Sequence, residues 1–175
     1  MTQQQTDQWN MTKTDVLRMV DKLGRPLDDE IVDTVVALQM LGIHTTASCS
    51  GHIDRVTGGP YVVFSAPEAN PLEEAYLKIA RPADPEYKSL RNRAVHLNLK
   101  ERQRLFPPLE EFYVNRPVKY MNRLIITRVG PEGSKLKCQG AEMSHLLDDQ
   151  GRQSLLAEHQ AEMRAFTDYL RQRIG

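Results

Sequence analysis

Apolar residues recur along this chain with two periods, about 3.6 residues in some stretches and 2 in others, and the switches between them predict its elements. Val16, Met19, Val20 and Leu23 are spaced three, one and three, which predicts a short amphipathic helix over 12–23 stopped by Gly24. The polar, glutamine-rich start, MTQQQTDQWN, reads as a loose tail over 1–11 ahead of one domain over 12–175. A second helix over 27–41 opens on Asp28, Asp29 and Glu30, carries Ile31, Val35 and Leu38 on one face, and ends at Gly42. Residues 43–48 and 61–65 are short and rich in β-branched or aromatic side chains, as strands are. A helix over 67–80 follows, with Leu72, Ala75, Tyr76 and Ile79 as its apolar stripe.

Periodicity alone does not assign residues 86–112. Val95-His96-Leu97-Asn98-Leu99 alternates as a strand would, while its flanks favour helix, and Pro107-Pro108 reads as the start of a separate short helix over 109–115. Residues 123–129 and 134–139 flank Gly130-Pro131-Glu132-Gly133, a hairpin signal. Leu156, His159, Met163, Phe166, Leu170 and Ile174 then repeat at spacings of three and four to the end of the chain. The expected fold is α+β: a mostly antiparallel sheet of about four strands packed against helices, with a long C-terminal helix.

Composition narrows the class. A chain of 175 residues suits one domain able to bury about two-thirds of its unfolded surface. Two cysteines are too few for a disulfide scaffold, and no apolar run is long enough to span a bilayer, so we expect a cytoplasmic protein with no membrane partner. The formal charge is zero, but residues 78–137 hold 14 Lys or Arg against 6 Asp or Glu. That basic middle, which includes Arg91 and Arg93, is a candidate contact for phosphate or RNA, or simply a set of solvated helix faces.

The chemistry concentrates in HTTASCSGHIDR at 44–55, between two predicted strands. Cys49 with His52 or His44 could act as an activated thiol, or Cys49 could be a small buried filler. Cys49-x-x-His52 supplies two zinc donors, with Asp54, His44 or Cys138 as further candidates, but no second pair completes a known pattern, and no metal is expected. Thr45, Thr46, Ser48, Ser50 and Gly51, joined by Asp54, Arg55 and Tyr61, suit a cradle for an anion, with His52 and Arg55 balancing its charge. The same residue types also build ordinary turns. His159 reads as a packed core histidine. The chain carries no glycine-rich dinucleotide fingerprint, no P-loop, no His-Glu-x-x-His and no deaminase cysteine pair.

Thr45-Thr46-Ala47-Ser48-Cys49-Ser50-Gly51-His52-Ile53 resembles the TT-x-SCSG-R-I signature of the wybutosine-synthesis tRNA methyltransferases, with His52 in place of the family's arginine. The preceding Ile-Val-x-x-Val-x-x-Leu helix and the following Gly58-Gly59-Pro60-Tyr61-Val62-Val63-Phe64-Ser65 are similar to that family as well. The resemblance implies S-adenosylmethionine as cofactor and RNA or a nucleotide as partner, and the loop's own chemistry makes His52, as proton acceptor, and Cys49, as thiolate, the catalytic candidates of such an enzyme. Two other readings stand beside it: a non-catalytic module for a small anionic ligand, and a protein-interaction domain.

Overall fold

A computed structural model describes residues 1–20, 24–54, 58–129 and 133–174. Arg55, Leu23 and the hairpin turn at 130–132 therefore lie outside the described residues. Among the described residues five α-helices accompany one four-stranded sheet. They are α1 (Gln3–Leu17), α2 (Asp29–Met40), α3 (Asn70–Leu77), α4 (Pro85–Tyr113) and α5 (Asp149–Ile174). The strands are β1 (Thr45–Cys49), β2 (Tyr61–Phe64), β3 (Leu124–Val129) and β4 (Gly133–Cys138), in the order β1-β2-β4-β3. Every pairing is antiparallel, as the α+β expectation required.

Alternation decides which face of the sheet is covered. Val62, Phe64, Leu136, Cys138 and Leu124 are buried and share one core with α2 and α5 through Val32, Val35, Val36, Met163, Phe166 and Leu170. Fully burying one such side chain contributes about 1.5–3 kcal/mol, so this layer dominates the packing. Thr34 and Thr167 share a buried hydrogen bond of 2.8 Å between α2 and α5.

Two elements depart from expectation. Most of the first eleven residues belong to α1 rather than to a loose tail: Thr2 and Gln5 close a capping box, and Trp9 and Val16, seven residues apart on one face, are buried. Arg171 lies 4.6 Å from the Trp9 ring centroid, and Gln5 Nε2 donates to the Ile174 carbonyl at 2.8 Å, which fastens α1 to α5. The expected stripe of Met19 and Val20 is exposed instead, because the helix stops at Leu17.

The second departure is α4. Residues 86–112 are neither strand nor two helices but part of one helix that runs through Pro107 and Pro108. Asp84 caps it by accepting from the Glu86 N–H at 2.8 Å, and Pro85 occupies a first-turn position where no amide is needed. Its buried face mixes Ala94, Leu105 and Phe112 with Asn98 and Glu101, so no clean apolar period exists to be read. Those polar residues have backbone partners. Asn98 Oδ1 accepts from the Ala66 N–H at 2.7 Å, and Glu101 Oε1 from the His44 N–H at 2.7 Å.

Candidate functional site

The 50–54 loop leaves β1 at the end of the strand, beside the start of α2 and the middle of α5. Asp28 precedes α2 at a capping position, yet its carboxylate does not cap the helix. It reaches the loop instead, accepting from the Ser50 N–H at 2.8 Å, and lies 3.4 Å from His52 Nε2. On the other side Gln160 Nε2 donates to the Ser50 carbonyl at 3.0 Å. Ser50 is thus held at both its amide and its carbonyl by side chains far away in sequence. Burial pushes the Asp28 carboxyl up, but the Ser50 amide and hydroxyl and the neighbouring His52 outweigh it and hold the carboxyl below its ordinary range.

Gly51 makes this turn sterically feasible. Its φ of +92° is unfavourable for residues with a side chain, and an added Cβ would sit 2.5 Å from the Gly58 carbonyl oxygen and 2.6 Å from Leu156 Cδ1. The Gly51 N–H donates back to Cys49 Sγ at 3.4 Å. Loop, glycine pair and α5 together line a small open hollow bounded by His52, Gly58, Gly59, Arg152, Leu156 and His159. Its enclosed space holds no more than about one water, so it suits the tip of an anionic group, such as one phosphate or carboxylate oxygen, and not a whole nucleoside.

Two α5 side chains give the hollow its polarity. Arg152 pairs with Asp149, while its Nε–H is buried without an acceptor among the described residues. His159 is buried, as the stripe predicts, with Nε2 3.2 Å from the Met121 carbonyl. A carbonyl only accepts, so Nε2 carries the proton and Nδ1, toward Gly59, does not. Desolvation lowers the His159 pKa, and its hydrogen bond to Met121 and the charge of Glu158 only partly oppose that. A depressed histidine pKa contributes stability that is full above the unfolded value of about 6.5 and is lost as pH falls from there through the folded value. His159→Gln, which keeps a donor for Met121, is expected to flatten that acid-side loss in urea unfolding measured between about pH 7 and 5.

The residues picked out from sequence divide into those that meet and those that do not. Cys49, Ser50, Gly51 and His52 come together, with Cys49 and Ser50 buried and the His52 side chain 37 % exposed. Ser48 is half-buried within β1, and Asp54 points to solvent. Thr45 and Thr46 occupy the far end of β1, where Thr45 Oγ1 accepts from Gln39 Nε2 at 3.2 Å and Thr46 Oγ1 donates to the Val63 carbonyl at 3.4 Å. Tyr61 lies on the half-exposed sheet face under Lys135, whose Nζ is 4.3 Å from the ring centroid. Arg91 and Arg93 belong to the half of α4 that packs on α3, beyond the end of β1 opposite the loop. Cys138 is a core residue whose thiol burial pushes up to about 12.

Part of the basic middle is paired with acidic residues. Arg116 pairs with Glu162, Lys119 with Glu158, and Lys137 with Glu142, so acidic residues from the C-terminal third meet cations from the middle. Asp28, Arg152 and Gln160 were missed from sequence. An aspartate before a helix reads as a cap, and polar residues on a helix read as its wet face. Compared with family models, curated proteins and solved structures, the chain matches none.

Proposed function

We propose that this chain is a methyltransferase-like domain that binds a nucleotide or RNA, gripping a phosphate in the hollow between the 50–54 loop and α5. The observation that carries the reading is the buried Arg152 Nε–H, which has no acceptor among the described residues and lines the same hollow as His52 and the Gly58-Gly59 backbone. A buried donor left unmade costs about 1–3 kcal/mol, which an anionic ligand would recover. The resemblance of residues 45–53 to the wybutosine-synthesis signature supports RNA modification as the activity and S-adenosylmethionine as the methyl donor.

A second reading is favoured by the size of the hollow. With room for about one water it does not enclose S-adenosylmethionine, which suits a non-catalytic module that holds only the anionic group of its ligand. One calorimetric series tests both, using inorganic phosphate, guanosine monophosphate, S-adenosylmethionine and its demethylated product. Heat from all but inorganic phosphate supports the enzyme, and heat from phosphate and guanosine monophosphate alone supports the module. Hydrogen bonds to charged groups contribute about 1.5–3 kcal/mol, so Arg152→Ala and His52→Ala are each expected to weaken guanosine monophosphate binding roughly tenfold to a hundredfold. No heat from any of the four refutes the reading.

A further inference from the structure

Beside the hollow, three donor atoms converge that phosphate binding leaves largely unused. A carboxylate oxygen of Asp28, Sγ of Cys49 and a ring nitrogen of His52 all lie within 4.8 Å of one another. In a tetrahedral zinc site with bonds of about 2.0–2.3 Å, ligand atoms stand roughly 3.3–3.8 Å apart. The Asp28–His52 edge, at 3.4 Å, already has that spacing. The widest edge has to close by about 1.5 Å at most, and the His52 side chain, 37 % exposed, has room to turn.

We propose that Asp28, Cys49 and His52 form a binding site for a divalent transition ion, with zinc the best match. The mixed oxygen, sulfur and nitrogen donor set disfavours magnesium and calcium, which take oxygen ligands, and suits a borderline ion. Charge points the same way. One thiolate and one carboxylate balance a dication while the imidazole stays neutral, so the partly buried complex carries no net charge.

The backbone supplies the supporting hydrogen bonds that metal ligands generally have. Gly51 N–H donates to Cys49 Sγ at 3.4 Å and Ser50 N–H donates to Asp28 at 2.8 Å. Both bonds orient their acceptor and favour its anionic, ligating form. Gly51, at φ +92°, turns the chain so that residue 52 returns to the sulfur three residues earlier. Three protein donors leave a fourth position for water or an anion.

This assignment reverses the expectation of no metal. Only Cys49-x-x-His52 was visible in sequence, and the fold adds Asp28 rather than Cys138, which is buried in the core, or His44, at the other end of β1. It shares only His52 with the nucleotide reading, since neither Asp28 nor Cys49 lines the hollow, so loss of the metal in Cys49→Ser and loss of guanosine monophosphate binding in Arg152→Ala are separate outcomes.

The test is cobalt spectroscopy on the full chain, untagged and stripped with chelator. The expected result is one equivalent of Co²⁺ bound with a thiolate-to-cobalt charge-transfer band and intense visible bands, all abolished by added Zn²⁺. Cys49→Ser, nearly isosteric, should remove the charge-transfer band while circular dichroism stays unchanged. Asp28→Asn should weaken zinc binding by at least the roughly 10–100-fold that losing even an outer-shell partner costs. A folded wild-type protein without the charge-transfer band overturns the proposal, whatever the variants do, and so does zinc affinity that Cys49→Ser leaves unchanged.

Discussion

Replacing Gly51 with Ala is expected to destabilise the protein by about 3 kcal/mol and to lower Tm on the order of 10 °C. Two separate penalties add. Holding a residue with a side chain at φ +92° costs of order 1–3 kcal/mol, since its Cβ crowds its own backbone. The new methyl would also lie 2.5 Å from the Gly58 carbonyl oxygen and 2.6 Å from Leu156 Cδ1, and overpacking of that kind typically costs about 1–3 kcal/mol. Leu156 can swing aside, but the Gly58 carbonyl is backbone and moves only with its whole strand approach. Gly24 offers the control. It too has positive φ, at +73°, but nothing among the described residues stands within 4 Å of its would-be Cβ, so Gly24→Ala should show the backbone penalty alone, about 1 kcal/mol. Differential scanning calorimetry on both variants separates the two contributions. Equal losses would show that the loop opens to admit the methyl.

Tyr113→Phe is expected to cost about 2–3 kcal/mol, although it removes a single oxygen from α4 and leaves the ring in place. That hydroxyl accepts from the Leu124 N–H at 2.7 Å and donates to Glu162 Oε1 at 2.9 Å, joining α4, β3 and α5 at one point. The Glu162 side chain is only 5 % exposed, and Arg116, with contacts of 2.8 and 3.3 Å, keeps it partnered when Tyr113 is lost. Leu124 has no such substitute, and an unmade buried donor costs about 1–3 kcal/mol. Burial pushes the Tyr113 hydroxyl far above its usual range, more than the Leu124 amide lowers it, and Glu162 adds to the rise. The group therefore stays protonated and works as a donor at every ordinary pH. Urea unfolding measures the loss, and a value below about 0.5 kcal/mol would mean that water reaches the orphaned amide. The variant should bind guanosine monophosphate as the wild type does, because Tyr113 does not line the hollow.

How much of this was legible beforehand depended on where polar residues sit. The strands, α2 and α5 were readable because Val62, Phe64, Val35, Leu38, Phe166 and Leu170 keep strict spacing on buried faces. In α4 the buried positions include Asn98 and Glu101, which satisfy backbone amides of neighbouring segments, so the apolar period breaks where the helix does the most connecting. In α1 only Trp9 and Val16 are buried, too few to mark a helix among glutamines.

The site shows the same division. Cys49, Ser50, Gly51 and His52 are consecutive and stood out together. Asp28, Arg152 and Gln160 are supplied by the fold, and each resembles an ordinary helix residue until the loop is seen against it. Segmental charge is partly offset for a related reason. Cations clustered in sequence face anions clustered elsewhere in sequence, and folding brings the two groups together as pairs.

The grip on Ser50 has a consequence for how the loop comes into being. Its amide is held by a residue 22 positions earlier and its carbonyl by one 110 positions later, so no peptide cut from the middle of the chain contains all three partners. During refolding the turn should become ordered only once the last helix has docked, and on heating it should melt with the body of the protein. The motif is therefore not portable: grafted onto another scaffold, 45–53 would keep its spelling and lose its shape.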